Sequence, residues 1–151
     1  MDIKIKELEE SDLEKFGPDF YKTLDNLKPQ GEFDLIKAKH ILHNINSCEG
    51  HVFVAIVDNQ RLVGTCTLFL EPKFLRNGVV AAHMEDLSVM KEFEGKAVAS
   101  LIAKKCVEFA KEKGCYRLIL DCKDNLVKFY GKFGFQEKAV CMKLYFDEEK
   151  L

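Results

Sequence analysis

The segment Ile3-Lys-Ile-Lys-Glu-Leu8 alternates apolar and charged side chains at period two, which predicts a half-buried strand. Ser11 suits a helix N-cap, with Glu14 three residues later as in a capping box. Helices are expected over 11–27 and 33–45, the second with Leu35, Ile36, Ile41, Leu42 and Ile45 on its apolar face. His51-Val-Phe-Val-Ala-Ile-Val57 reads as a buried strand, Asp58-Asn59-Gln60 as a tight turn, and Leu62 to Leu70 as the hairpin partner. A loop at Glu71-Pro72-Lys73 leads to a third strand from Val79 to Val89. A helix opens at Phe93 and runs to Lys113, with the stripe Val98, Leu101, Ile102, Cys106, Phe109 and Ala110, and Gly114 ends it. Tyr116–Asp121 is the next strand and Asp124–Lys132 a short helix closed by Gly134. Phe135–Phe146 should supply one or two last strands, and the prolines Pro18, Pro29 and Pro72 should lie near element ends. A strand–helix–strand unit within a mostly antiparallel sheet makes the expected fold class mixed α/β, a central sheet flanked by helices.

Composition narrows this picture. The 151 residues suit one domain over 1–151, and 47% hydrophobic with 32% charged residues is the balance of a soluble globular chain. Lys+Arg is 23 and Asp+Glu is 25, so a net charge of −2 leaves no bulk attraction for nucleic acid. No apolar run reaches the roughly 18 residues of a membrane span. The start, Met1-Asp-Ile-Lys-Ile-Lys-Glu, lacks the apolar block of a secretory signal. The 6 cysteines have no C-x-x-C spacing, so they read as small buried side chains in a reducing compartment, with no metal site. A cytoplasmic location is expected.

Four features carry candidate chemistry. Glu94-Gly-Lys-Ala-Val-Ala99 joins a strand to a helix N-terminus, whose free N–H groups suit a phosphate as well as they suit an ordinary turn. His83-Met-Glu85-Asp86 puts adjacent carboxylates in an otherwise apolar strand, as a solvated strand end or as amine-binding groups. Alternation faces the two oppositely unless a bulge intervenes. Asp121 closes the strand Leu118-Ile-Leu-Asp121, where open α/β sheets place ligands. Cys122 beside it has no neighbouring base and is no nucleophile candidate. Tyr130, in Asn125-Leu-Val-Lys-Phe-Tyr130-Gly-Lys-Phe-Gly134-Phe135, is either half-buried packing or a proton donor.

Together these segments resemble the GNAT acetyltransferase family. Within it, His83-Met-Glu-Asp86, Gly114-Cys-Tyr116, Leu118-Ile-Leu-Asp-Cys122 and Val127-Lys-Phe-Tyr130 with Phe133-Gly-Phe135 resemble the glucosamine 6-phosphate N-acetyltransferases. The likeness is strong over about 70–135 and weak before residue 50. It implies direct acetyl transfer from acetyl-CoA to the 2-amino group of glucosamine 6-phosphate, a step toward UDP-N-acetylglucosamine, with no covalent enzyme intermediate and no metal.

The resemblance lays pantetheine along Leu87, Ser88 and Val89. It sets pyrophosphate over Glu94, Gly95, Lys96, Ala97, Val98 and Ala99, with Asn125 also a cofactor contact. Glu85 and Asp86 would be catalytic and substrate-binding, Tyr130 would assist the leaving thiolate, and Lys73, Asp121 and Lys143 would contact the sugar phosphate. A homodimer with a shared pocket is implied. Three departures stand out: Glu94 replaces a basic or neutral residue, Ala97 replaces the middle glycine of the turn, and Tyr145 stands where the family carries an arginine. Transfer to another small amine, or CoA binding without catalysis, are the alternative readings.

Overall fold

The computed structural model describes residues 1–147. Its chain folds as two units, Met1–Leu120 and the stretch from Asp121 onward. The first unit carries a five-stranded sheet in the order β1-β2-β3-β4-β5: β1 (Ile3–Glu7), β2 (Gly50–Val57), β3 (Arg61–Pro72), β4 (Val80–Val89) and β5 (Arg117–Ile119). The first three pairings are antiparallel and β4–β5 is parallel. Helices α1 (Glu10–Asp25) and α2 (Leu35–Ser47) cover one face and α3 (Val98–Glu112) the other. The second unit holds a 3-10 turn at Asp124–Leu126 and the short helix α4 (Val127–Gly131).

Coverage on both faces explains why β2 reads as an unbroken apolar run. Val52, Val54 and Ile56 pack with Leu13, Phe16, Ala38 and Leu42. Phe53 turns the other way and meets Phe109 of α3 edge-on, with ring centroids 5.1 Å apart. Gly64 on β3 lets α3 sit close, because a Cβ there would lie 2.8 Å from Ile102 and 3.1 Å from Val98. The hairpin turn keeps its expected place, with Asp58 and Asn59 at φ 50° and 56°.

Helix boundaries depart from the sequence reading. The N-cap of α1 is Glu9, not Ser11; the capping box pairs Glu9 with Asp12, and Lys6 reaches both carboxylates. Pro18 lies inside α1 rather than at an end. It costs a helix about 3 kcal/mol. Burial of Leu13, Phe16 and Thr23 offsets this, since that face has nowhere else to go. Helix α3 starts at Val98, later than the glycine-bearing turn suggests.

Two further expectations are corrected. The strand ending at Asp121 stops at Ile119. No strand forms over Phe135–Phe146 among the described residues. Val140, Met142, Leu144 and Phe146 are instead 86%, 90%, 78% and 94% exposed. A strand needs a partner for its amides, and propensity alone does not provide one.

Candidate active site

Strand β4 is longer than the neighbour it lies beside. Its parallel pairing with β5 runs from Ala81↔Arg117 to His83↔Ile119 and stops, while β4 continues to Val89. From Met84 onward the β5-facing edge of β4 therefore has no strand beside it among the described residues. A bulge falls on this stretch. Thr67 pairs with Glu85 and Thr65 with Ser88, so Asp86 and Leu87 together face the single residue Cys66. Asp86 takes φ 55°, a left-handed conformation that aspartate tolerates better than most residues. The bulge breaks the alternation, and Glu85 and Asp86 both emerge exposed.

The other side of β4 anchors the strand. Ser88 is buried and its hydroxyl donates to the Thr23 carbonyl of α1. The Val89 carbonyl accepts from the Asn26 amide at 2.9 Å. Cys66 donates to the Glu85 carbonyl at 3.4 Å, and its thiol is pushed well up by the neighbouring Cys106 thiol and by burial, so it is no nucleophile.

Past β4, a 3-10 turn at Lys91–Phe93 leads into the strand-to-helix turn. Gly95 at φ 73° and Ala97 at φ 65° twist it, and Ala97 is the N-cap of α3. Ala97 thus adopts, at some strain, the conformation a glycine takes freely. The first N–H groups of α3, at Val98, Ala99 and Ser100, have no acceptor within the helix. This is a set of donors suited to an anion. The Glu94 carboxylate accepts a hydrogen bond from the Asn26 amide at 2.9 Å. Lys96 lies over the Phe93 ring, 4.9 Å from its centroid. The residues present therefore fit a CoA: an open strand edge for amide pairing, and helix donors for pyrophosphate.

Around His83 sits a charged cluster that the sequence reading did not assemble. Glu71 bonds His83 Nε2 through one oxygen and Lys73 through the other, at 2.7 Å for Lys73. The Lys73 ammonium, then the His83 ring, holds the Glu71 carboxyl below its usual range. Diagonal neighbours across an antiparallel pair make such contacts, but only the register reveals them.

In the second unit, Lys143 pairs with Asp121 at 3.1 Å, which raises the Lys143 ammonium's pKa. Tyr130 is buried on α4, edge-on to Phe129 and Phe135. Asn125 is exposed in the 3-10 turn before it. The cysteines are not uniformly buried: Cys66 and Cys106 are, whereas Cys48, Cys122 and Cys141 are exposed on segments that end or leave regular structure. A hollow of about 350 Å³ lined by Glu7, Glu9, Leu42 and His43 lies between β1, α1 and α2. It contains none of these site residues. No helix among the described residues is long and apolar enough to cross a membrane.

The sequence pattern of the acetyltransferase (GNAT) family matches residues 7–135, crossing from the first unit into the second. A glucosamine 6-phosphate N-acetyltransferase of Arabidopsis thaliana is 31% identical over 96% of this chain and 97% of its own. A probable glucosamine 6-phosphate N-acetyltransferase 2 of Oryza sativa subsp. japonica is 40% identical over 65% of this chain, which spans only 61% of that relative. The crystal structure of the Arabidopsis enzyme superposes with a TM-score of 0.88, covering 97% of this chain and 100% of that one.

Proposed function

Since the chain belongs to the acetyltransferase (GNAT) family, we propose that it transfers acetyl from acetyl-CoA to the 2-amino group of glucosamine 6-phosphate, releasing CoA. The observation that carries this reading is the open edge of β4, with the bulge at Asp86–Leu87 directly after Glu85. One acetyltransferase domain spans both units in this reading.

The chemistry follows from charge. Glu85 and Asp86, both exposed at the bulge, attract and orient the substrate ammonium. A proton leaves, directly or through water, toward Glu85 or Asp86, and the freed nitrogen pair attacks the acetyl carbon. The N–H of Leu87, the second bulge residue, stabilises the carbonyl oxygen as it turns negative. Leu87 to Val89 hold the pantetheine through backbone amides, and the turn from Glu94 to Ala99 holds the pyrophosphate. Tyr130 donates to the departing thiolate and Asn125 contacts the cofactor. Lys73 and Lys143 take the phosphate group, and Asp121 lines the pocket for the sugar itself. The scheme calls on no metal and no acyl-enzyme.

A homodimer belongs to the same reading. Residues 136–147 are all exposed, Val140, Met142, Leu144 and Phe146 among them, and this segment pairs with no strand among the described residues. A second copy supplies both the missing amide partner and the apolar cover. A cytoplasmic setting and a role in UDP-N-acetylglucosamine synthesis go with it.

The test is a purified-protein assay with acetyl-CoA and glucosamine 6-phosphate, following thiol release and product mass. Thiol release with an N-acetylated sugar phosphate is expected. Folded protein with no release above background overturns the reading. Tyr145, in place of the family arginine, favours a different amine as the second reading. Faster turnover of an unphosphorylated amine in a substrate panel would establish that one. CoA binding without turnover of any amine would mark a non-catalytic module.

A further inference from the structure

An ordinary carboxylate is a weak match for the proton an amine must lose. An α-amino-type ammonium titrates near 8 and a glutamate near 4.3, so that transfer is uphill by about 5,000-fold. An imidazole, near 6.5, leaves only about 30-fold. The acceptor best suited to this chemistry is therefore a histidine close to Glu85.

His83 is two residues before Glu85 on β4, on the same strand face, about 7 Å along. The bulge begins only after Glu85, so alternation is intact between them. His83 is also the last residue of β4 paired with β5, at the point where the strand edge opens. Its side chain is 30% exposed, neither sealed in the core nor loose in solvent. Its Nε2 is bonded to Glu71. An ionised Glu71 accepts a hydrogen bond and so selects the Nε2–H tautomer, which leaves the Nδ1 lone pair as the ring's proton acceptor. Lys73 on the other Glu71 oxygen fixes the carboxylate in turn. Two side chains, Glu71 directly and Lys73 through it, thus hold one imidazole in one tautomer.

We propose that His83, oriented by Glu71, takes up the proton that the attacking amine sheds. This rests on the acetyl-transfer reading above and adds to it a role that Glu85 and Asp86 alone fill poorly. An N–H bond of the substrate ammonium breaks and an N–H bond forms at His83 Nδ1. The nitrogen keeps the electron pair with which it attacks the acetyl carbon. Glu85 holds the ammonium beside the ring, Glu71 balances the imidazolium, and solvent discharges it after turnover. The charged groups around His83 are Glu71 from β3, Lys73 just past its end, Glu85 on β4 itself, and Arg117 on β5, two residues before the Ile119 that pairs with it. From α2, Ile45 shares the space over Gly50 with Phe69, the residue opposite His83, and carries no charge.

The experiment is steady-state kinetics of wild type, Glu71→Gln and His83→Gln, with side-chain NMR of the histidine tautomers in wild type and Glu71→Gln. His83→Gln should lower kcat about 100-fold, with KM for acetyl-CoA within about threefold. Glu71→Gln replaces a group that only accepts with an amide that can also donate to Nε2, so the Nε2–H tautomer is no longer selected. It should lower kcat about tenfold and raise the share of Nδ1–H imidazole at His83. A Glu71→Gln protein with wild-type kcat and an unchanged His83 tautomer, or a His83→Gln kcat within twofold of wild type, overturns the proposal. If circular dichroism shows that His83→Gln does not fold, Glu71→Gln decides. Wild-type protein that acetylates no amine removes the proposed function and this role with it. Wild-type turnover with an unaffected Glu71→Gln removes the role alone.

Discussion

Asn26, at the end of α1, holds Glu94 of the strand-to-helix turn through a 2.9 Å side-chain hydrogen bond, and its amide also donates at 2.9 Å to the Val89 carbonyl. One amide thus ties the last residue of β4 to the carboxylate that would otherwise oppose an anion at the start of α3. The negative residue in the turn is tolerated because it has a fixed place to go.

Replacing Asn26 with Ala frees that carboxylate and strips the Val89 carbonyl of its donor. CoA affinity should fall about fivefold to tenfold, on the order of 1 kcal/mol, in a calorimetric titration. Glu94→Gln, which removes the charge, should bind CoA as tightly as wild type or more tightly. Wild-type affinity in Asn26→Ala would mean that Glu94 has no bearing on the anion.

Tyr130→Phe keeps the ring packing against Phe129 and Phe135 but removes the phenol. Turnover should fall by about 100-fold if the hydroxyl assists the leaving thiolate, while acetyl-CoA binding changes little. Steady-state kinetics beside equilibrium binding separate the two. Parallel losses in both would reduce Tyr130 to packing.

Glu71 predicts a pH signature in stability. Lys73 first, and His83 second, hold its carboxyl below the ordinary value of 4.5. A depressed folded value means that the pair's contribution is complete above the unfolded value and is lost as pH falls through the folded one. The urea midpoint of wild type should therefore drop faster than that of Glu71→Gln below about pH 5, the two curves converging in acid. The effect is small because the carboxylate is exposed and screened. Parallel curves down to acid pH would exclude the linkage.

Gly64→Ala places a methyl 2.8 Å from Ile102 and 3.1 Å from Val98, at the seat of α3 on the sheet. Overpacking there should cost about 1–3 kcal/mol and lower Tm by several degrees. CoA affinity should fall with it, since Val98 begins the helix. Gly131→Ala is the control: nothing lies within 4 Å of an added Cβ there, and alanine is the better helix former. Its Tm should hold or rise.

A charge on the apolar alternation should break the dimer. Met142→Lys with Phe146→Asp should convert a particle of two chains into one by light scattering, with activity lost alongside. A wild-type protein that is monomeric at micromolar concentration would leave those side chains without the proposed cover.

What the chain's own pattern determined is whatever follows from local periodicity and burial. The run His51–Val57 and the period-two start at Ile3 each place a strand within a residue or two, and the stripe up to Gly114 places the end of α3 though not its start, because a buried face leaves its repeat in the residue order. The motif segments around Glu85, Gly114 and Tyr130 likewise pointed to the family before any contact was known. Tertiary structure decided the rest. The bulge at Asp86 depends on two β4 residues meeting one on β3, and no local pattern encodes that count. The Glu71–His83–Lys73 cluster depends on register, and the Asn26–Glu94 bond on residues 68 positions apart. Pro18 stays helical because of the face it helps to bury. Phe135–Phe146 has the composition of a strand but forms none among the described residues, since hydrogen-bond partners come from elsewhere in space and residue order does not supply them.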